Sequence, residues 1–233
     1  KYITQVFTCG EEAAQWLAGE KLAPSAILQR NSIDTQVYAY QETNRTDIRK
    51  ALQLPTDAIV IGHVGRFNKQ KNHAFLIDIF HAFVQKHPHA HLVLVGVGEL
   101  MEETQKKVQK LQLNHQVHFL GIRSDVPSLL HAMDLFLFPS FMEGLSVSMV
   151  EAQCAGLPCV VSDTIPTEVS MTDLVSFLSL KAPVDEWVKE MEFMINRDVE
   201  REIYPSVITE AGYDIQKNAE WLQNYYLEQW QKH

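Results

Sequence analysis

Two glutamates, Glu143 and Glu151, lie eight residues apart in the segment 139–163. An apolar strand pattern precedes them, a glycine follows Glu143, and residues 147–154 have the pattern of a short helix. We expect a carboxylate at each end of this helix, separated by about 12 Å along its axis. Two carboxylates at that separation can bind one elongated polar ligand, such as a nucleotide joined to a second polar group.

Two cations, Arg66 and Lys71, follow another apolar run at residues 58–65. Cations at the carboxyl end of a strand can neutralise a diphosphate and stabilise it as a leaving group. In isolation this segment is typical of a solvated loop. Its position after the first strand of a predicted sheet favours an anion site instead, at an edge shared with the turn at Glu143.

Strand and helix patterns alternate along the middle of the chain, which predicts an α/β fold with a doubly wound, Rossmann-like parallel sheet. The predicted strands are 58–65, 91–96, 117–121, 135–140, 158–163 and 175–180. The predicted helices are 72–86, 99–111, 125–132, 147–154 and 184–196. Because ligands bind at the carboxyl ends of such strands, we expect a site formed by the loops 65–71, 96–99, 121–124 and 140–146.

The two ends of the chain differ from this alternation, and they predict three parts. Residues 1–34 carry a strand near 3–8, a helix near 11–18 and a strand near 25–30, and the break at 31–34 predicts a domain boundary. A ligand-binding domain at 35–205 follows, with a helix near 47–54 at its start. Residues 206–233 are predicted to form a helical region, whose aromatic residues either pack across a second domain or cover the core. Since Lys1 lies inside a strand pattern, we expect a piece of a longer protein.

Composition excludes several classes of function. The chain has 233 residues, 46% of them apolar, which is enough to bury a core. The formal net charge of −9 argues against nucleic-acid binding, because there is no basic field to neutralise phosphates. No apolar run is long enough to span a bilayer. The three cysteines lack metal or redox spacing, which favours the cytoplasm.

The remaining motifs carry weak signals. Met101 stands where the third glycine of a dinucleotide fingerprint would follow Gly96 and Gly98, so a tight turn is favoured over nicotinamide binding. The histidine tract at 87–91 joins a helix to a strand and is expected to be a polar loop rather than a metal site. No Asp-x-Asp pair follows a strand, so we expect neither a metal nor a cofactor.

Four segments, in this order, resemble the donor-binding domain of the family-4 retaining glycosyltransferases, which have the GT-B fold. They are VGRFNKQKN at 64–72, LVLVGVGEL at 92–100, VHFLG at 117–121 and EGLSVSMVEAQCAGLPCVVSD at 143–163. The resemblance covers roughly residues 8–231, with 1–34 similar to the tail of the family's acceptor domain and the crossover from it. TIPTEVSMTDLVSFLSL at 164–180 is similar to the branch that builds bacterial capsular polysaccharides and exopolysaccharides.

The resemblance implies a role for each acidic and basic site residue. Arg66 and Lys71 match the pair that holds the donor diphosphate. Glu151 matches the glutamate that hydrogen-bonds the ribose, and Glu143 matches the glutamate beside the transferred sugar, where we do not expect it to act as a nucleophile.

Backbone groups complete the site that the resemblance implies. The N–H groups of Gly144, Leu145 and Ser146 match a turn that binds sugar hydroxyls and phosphate, in agreement with the free donors at a helix N-terminus. The loop 121–123 is expected to face the nucleobase. Further positions expected to line the donor cleft are Gly65, Gly98, Glu99, Ile122 and Arg123.

The implied reaction transfers a hexose from a nucleoside diphosphate sugar to an acceptor hydroxyl with retention of anomeric configuration. The two cations favour departure of the diphosphate without a metal. A UDP-sugar is the expected donor, because uridine diphosphate is common in this family. The expected acceptor is a saccharide or a lipid-linked saccharide, bound in the cytoplasm by an N-terminal domain, and peripheral association of the longer protein with the inner face of the membrane stays open.

Two departures from the family pattern matter. Ser146 stands where glycine or proline is frequent, and most of the N-terminal domain is missing. We therefore expect the chain alone to bind donor and not to catalyse transfer. Two alternatives stay open: a non-catalytic nucleotide-binding module, which would show no transfer at full length, and a nucleotide-sugar epimerase of the same architecture, which would need no acceptor.

Overall fold

A computed structural model of the chain describes residues 5–231, and it describes the side chains of all of these except residues 11 and 12. Residues 3 and 4 of the first predicted strand, and the last two residues of the predicted helical region, lie outside this range. The strands are β1 (Phe7–Thr8), β2 (Ile27–Leu28), β3 (Val60–Val64), β4 (His91–Val95), β5 (Val117–Gly121), β6 (Leu135–Phe138), β7 (Cys159–Ser162) and β8 (Val175–Leu178).

Helices cover both faces of the larger sheet, and further helices lie before and after it in the described chain. They are α1 (Glu11–Leu22), α2 (Glu42–Ala51), α3 (His73–Lys86), α4 (Met101–Lys110), α5 (Val126–Ala132), α6 (Val147–Cys154), α7 (Val184–Ile195), α8 (Tyr204–Glu210) and α9 (Ile215–Gln231). Within the described residues, no helix combines the length and apolar character that crossing a membrane requires.

The central sheet has six parallel strands in the order β5-β4-β3-β6-β7-β8. The chain moves outward from β3 through β4 to β5, returns beside β3 as β6, and then moves outward on the other side. This doubly wound order confirms the predicted fold class. Its switch point lies between β3 and β6, which pair through Ile61 with Leu135 and through Gly62 with Phe136. Ligands bind outside the carboxyl ends of strands at such a point.

Both faces of the sheet are buried, which explains why its strands are continuous apolar runs. Alternate residues of one strand belong to different cores: Leu135 and Leu137 of β6 pack with α3 and α7, whereas Phe136 and Phe138 pack with α5 and α6. Helix α7 contributes Trp187, which is fully buried. The two cores hold β3 and β6 in place and so define where their carboxyl ends lie.

Helix α2 begins five residues before and ends three residues before the predicted helix at 47–54. Two of its arginines, Arg45 and Arg49, bind the two carboxylate oxygens of Asp134 at 2.6 and 2.7 Å, and Ile48 is the helix residue that packs against the core around Met149. An apolar periodicity therefore gives little sign of this helix. Gln53 adopts the left-handed conformation with φ 54°, which ends the helix before Pro55.

The described part of the helical region predicted at 206–233 consists of two helices, α8 and α9. Gly212, with φ 87°, ends helix α8. Asp214 then caps α9, since its carboxylate accepts a hydrogen bond of 3.0 Å from the backbone N–H of Lys217. Helix α9 packs against β1, with the rings of Tyr225 and Phe7 5.4 Å apart. The predicted domain boundaries stay predictions.

Candidate functional site

The loops after β3 and β6 form one wall at the switch point. Gln70 joins them twice: its carbonyl accepts from the backbone N–H of Phe141 at 2.8 Å, and its side-chain amide donates to the carbonyl of Met142 at 2.8 Å. The buried side chain of Asn72 donates to the carbonyl of Pro139 at 3.0 Å. These three bonds bring the two predicted loops together and fix the residues that they carry.

Lys71 and Glu143 face each other across this wall. The Nζ atom of Lys71 lies 2.8 Å from Oε1 of Glu143, and the two side chains are only 13% and 7% exposed. The same Oε1 atom accepts no well-directed hydrogen bond within the described residues, so the contact is an ion pair with poor hydrogen-bond angles. Nζ also lies 4.4 Å from the centre of the Phe138 ring. The carboxylate therefore has an unused capacity to accept a hydrogen bond.

Two buried histidines, His63 and His73, lie beneath Lys71, and no sequence pattern indicated either of them as a site residue. Burial holds the pKa of His63 well below its ordinary value, and burial with the nearby Lys71 lowers the pKa of His73 to about 4. Both are neutral near pH 7. A neutral His63 donates from Nδ1 to the carbonyl of Leu137 at 2.9 Å. The side chains beneath Lys71 are thus uncharged. Gly65 packs closely on them, because a Cβ atom at this position would lie only 3.0 Å from Nε2 of His63.

Arg66 does not share a partner with Lys71. Its side chain is 72% exposed, and its Nη2 atom lies 3.4 Å from Oε2 of Glu99, a long contact between two exposed groups. Each cation of the predicted pair therefore faces its own carboxylate. The exposed pair contributes little to stability, at most about 1 kcal/mol, which leaves Arg66 free to change partner.

The glycines after β4 allow the loops of β3 and β4 to approach closely. A Cβ atom on Gly98 would lie 2.3 Å from the carbonyl oxygen of Phe67, and one on Gly96, with φ 131°, would lie 2.1 Å from that of Gly65. The tight turn predicted here is confirmed, and the backbone that approaches it belongs to the loop after β3. A contact of Gly98 with the donor stays a prediction.

The turn before α6 leaves backbone donors free. The N–H groups of Gly144, Leu145 and Ser146 donate to no other group in the described part of the chain. Gly144 has open space around its Cα atom. These groups lie where the partial positive charge of a helix N-terminus favours an anion.

The predicted placement of the two glutamates at opposite ends of α6 is wrong. The backbone at Ser146 is extended, with φ −79° and ψ 115°, so the helix begins at Val147. Glu143 therefore lies in the preceding turn, and Glu151 is the fifth of eight helical residues. The separation of about 12 Å, which assumed continuous helix from Glu143, does not apply.

Glu151 has a partner that the sequence did not reveal. The hydroxyl of Tyr38 donates to Oε1 of Glu151 at 2.6 Å, across 113 residues of chain. Burial raises the pKa of Glu151, and the hydrogen bond from Tyr38 opposes that shift. Burial and the carboxylate raise the pKa of Tyr38 far above its ordinary value, so its hydroxyl stays a donor.

The loop after β5 lies next to the loop after β4, because the backbone N–H of Gly96 donates to the carbonyl of Gly121 at 2.8 Å. Ile122 is 81% exposed. Arg123 binds both carboxylate oxygens of Asp125, at 2.8 and 2.7 Å. Its guanidinium is thus bound locally, which leaves the backbone of this loop and the exposed side chain of Ile122 for the predicted contact with a nucleobase.

No cluster of three or more potential metal ligands occurs among the residues that the structure describes. Two histidines of the tract contact different partners. Nε2 of His87 lies 2.9 Å from Oε1 of Glu192, and Nδ1 of His91 lies 2.9 Å from Nε2 of His118. The predicted absence of a metal and of a cofactor stays a prediction.

Comparison with known proteins identifies the family of the chain. Residues 44–211 match the family described as "Glycosyl transferases group 1". The chain is 34% identical over 227 residues to "Putative glycosyltransferase EpsF" of Bacillus subtilis (strain 168), which covers 96% of this chain and 59% of that protein. It is also 34% identical over 137 residues to the UDP-Gal:alpha-D-GlcNAc-diphosphoundecaprenol alpha-1,3-galactosyltransferase of Escherichia coli, covering 57% of this chain and 35% of that enzyme.

Among solved structures, HepE of Anabaena in complex with UDP and glucose superposes with a TM-score of 0.77 at 19% identity, covering 96% of this chain and 62% of HepE. The fold is that of one domain of a GT-B glycosyltransferase. The chain spans about three-fifths of the length of EpsF and HepE. Because the family match extends over most of its residues, the chain belongs to the group 1 glycosyl transferases.

Proposed function

We propose that this chain is the donor-binding half of a retaining, family-4 hexosyltransferase that uses a nucleoside diphosphate sugar, with a UDP-sugar as the expected donor. We also propose that the longer protein acts in the synthesis of a bacterial capsular polysaccharide or exopolysaccharide. The complex of HepE with UDP and the UDP-Gal donor of the Escherichia coli relative support the choice of nucleotide. The observation that carries the proposal is the Lys71–Glu143 pair beside the free N–H groups that precede α6.

Each part of a nucleoside diphosphate sugar finds a complementary group. Lys71 and the N–H groups of residues 144–146 bind the diphosphate. Arg66 leaves its exposed contact with Glu99 to bind the same anion, at a cost of about 1 kcal/mol or less. Glu143 accepts a hydrogen bond from a sugar hydroxyl, and Glu151 accepts hydrogen bonds from the ribose.

The chemistry places negative charge on the leaving diphosphate as the bond from the anomeric carbon to the phosphate oxygen breaks. Lys71 and Arg66 stabilise that charge without a metal ion, because both are cationic donors that bind the same diphosphate. Glu143 is an acceptor for the sugar rather than a nucleophile, since its carboxylate is ion-paired. The acceptor binds to a second domain, so this chain alone binds donor and does not transfer the sugar.

Ligand-induced thermal stabilisation tests donor binding. UDP at about a hundredfold its dissociation constant stabilises the folded state by about 2.7 kcal/mol. For a chain of this size that raises the melting temperature by about 5–10 °C. GDP and ADP serve as the comparison, and EDTA is expected to change nothing. Lys71→Ala is expected to abolish most of the shift, and either a full shift in that variant or no shift with any nucleoside diphosphate in the wild type would contradict the proposal.

The longer protein separates the proposed transferase from its alternatives. With a UDP-sugar and a saccharide acceptor, we expect a glycoside whose anomeric configuration by NMR equals that of the donor. A changed sugar without acceptor would identify an epimerase, and binding without either product would identify a non-catalytic module. Cell fractionation tests the expected cytoplasmic location, with release by salt if the protein binds peripherally to the inner face of the membrane.

A further inference from the structure

Contacts with two hydrophobic cores hold Tyr38, which is half-buried. It belongs to the segment 33–40 that leads into α2, and its ring packs against both the core around Met149 and the core around Val150. Its backbone carbonyl lies 3.3 Å from Nε2 of His131. The position of its hydroxyl, 2.6 Å from Oε1 of Glu151, therefore follows from packing rather than from the carboxylate.

The segment that carries Tyr38 is itself attached to α6 and to the junction of α8 and α9. The hydroxyl of Thr35 donates to Oδ2 of Asp214 at 2.8 Å, and the thiol of Cys154 donates to the carbonyl of Thr35 at 3.5 Å. Backbone hydrogen bonds of 2.9 Å also join Ile33 to Tyr213 and to Ile215. Tyr38 is thus a fixed point against which a side chain on α6 can be oriented.

The two oxygens of Glu151 differ as a result. Oε1 accepts from Tyr38, and Oε2 accepts no hydrogen bond from the part of the protein that the structure describes. A carboxylate with one oxygen anchored loses its freedom to rotate, so the other oxygen has a defined direction. Two adjacent hydroxyls, such as the 2′ and 3′ groups of a ribose, bind best to an acceptor whose direction is set before they arrive.

We propose that Tyr38 is a positioning residue of the donor site, whose hydroxyl fixes the Glu151 carboxylate so that Oε2 is presented to the ribose hydroxyls. This inference rests on the proposed function, because it assigns the ribose to Glu151. It adds a residue outside the loops of the sheet, and it makes ribose recognition depend on the segment 33–38. Tyr38 touches no reacting atom and acts through Glu151 alone.

The chain offers a matched pair of substitutions. Tyr38→Phe removes the hydroxyl and keeps the ring in both cores. Tyr40→Phe removes a hydroxyl two residues away that hydrogen-bonds Glu42 at the surface. By calorimetry we expect Tyr38→Phe to weaken UDP binding about 10-fold, as for the loss of a hydrogen bond to a charged group. Tyr40→Phe is expected to stay within about twofold of the wild type.

Comparison of UDP with 2′-deoxy-UDP distinguishes positioning from a general loss of structure. The wild type is expected to prefer UDP, and Tyr38→Phe is expected to reduce that preference, because a rotating carboxylate no longer meets both hydroxyls. A structural role alone would weaken both ligands equally. UDP binding by Tyr38→Phe at wild-type strength, or an unchanged preference between the two nucleotides, would overturn the proposal.

A second measurement needs no ligand. The carboxyl carbon resonance of Glu151, followed by NMR against pH, reports whether Tyr38 stabilises the ionised carboxylate. Removing the donor is expected to raise the pKa of Glu151 in Tyr38→Phe and to leave it unchanged in Tyr40→Phe. If the wild type binds no nucleoside diphosphate, the proposed function fails, and this titration still decides about Tyr38: a midpoint that does not move in Tyr38→Phe overturns its positioning role.

Discussion

The Lys71–Glu143 ion pair predicts that two destabilising substitutions partly cancel when they are combined. Lys71→Met keeps most of the apolar stem and removes the ammonium group, which leaves the carboxylate of Glu143 unpaired while 7% exposed. Glu143→Gln keeps the shape of the side chain and removes its charge, which leaves the ammonium group without its carboxylate 4.4 Å from the ring of Phe138. In the double variant neither charge remains.

The burial of the pair sets the expected magnitudes. Removing one partner of a fully buried pair costs about 3–5 kcal/mol, whereas exposed pairs contribute about 1 kcal/mol or less. With exposures of 13% and 7% the pair lies near the buried limit without reaching it. We expect Lys71→Met to cost about 2–3 kcal/mol. Glu143→Gln should cost about 1 kcal/mol, because the ring of Phe138 still attracts the ammonium group, and the double variant should also cost about 1 kcal/mol.

Urea unfolding followed by circular dichroism measures all four free energies of unfolding, and the coupling between the two substitutions is expected to be about 2 kcal/mol. Thermal shift with UDP is measured on the same samples. The double variant should recover stability and should not recover UDP binding, because Lys71 is missing. Additive losses of stability would show that the two charges are not coupled in the folded protein, and the reasoning from the ion pair would then be refuted.

Three further predictions concern the neighbouring groups. Arg66→Ala should change the free energy of unfolding by less than about 0.5 kcal/mol, because Arg66 is 72% exposed, while calorimetry should show UDP binding weakened about 10-fold. Burial lowers the pKa of His73 to about 4 in the folded state, against about 6.5 in the unfolded state, so the unfolded chain binds the proton first as the pH falls. The free energy of unfolding should therefore fall by about 3 kcal/mol between pH 6.5 and pH 4. Urea unfolding against pH checks this, and His73→Phe should flatten the profile. Gly98→Ala should lower the melting temperature by about 5 °C, because its Cβ atom would lie 2.3 Å from the carbonyl oxygen of Phe67; an unchanged melting temperature would contradict that close approach.

The larger sheet was predictable because its strands are buried on both faces and therefore consist of continuous apolar runs. Helix α2 was placed incorrectly because its arginines bind Asp134, a contact that leaves no apolar periodicity. The split between α8 and α9 carried a local signal, since Gly212 and Asp214 are typical stop and cap residues. A pattern of apolar residues thus locates elements that are stabilised by burial and misplaces elements that are stabilised by ion pairs.

The loops of the site were also predictable, because parallel strands bring their carboxyl ends to one edge. The bounds of α6 were also predicted correctly, but the placement of Glu143 at its N-terminal end was wrong, because the backbone at Ser146 is extended. The partners of the charged groups could not be predicted from the sequence. The sequence names Arg66, Lys71 and Glu143 as candidates without telling which cation meets which carboxylate.

The alternation of strands and helices and the residue types in the loops can be read from the sequence, and they indicate the kind of ligand that those loops suit. The contacts of the charged groups depend on the tertiary fold: Lys71 pairs with Glu143, Arg66 faces Glu99, and Tyr38 holds Glu151. For Lys71 and Glu143 the cause is the strand order. Because β6 lies beside β3, the loops that carry these two residues meet at one edge of the sheet, and local spacing carries no record of that meeting.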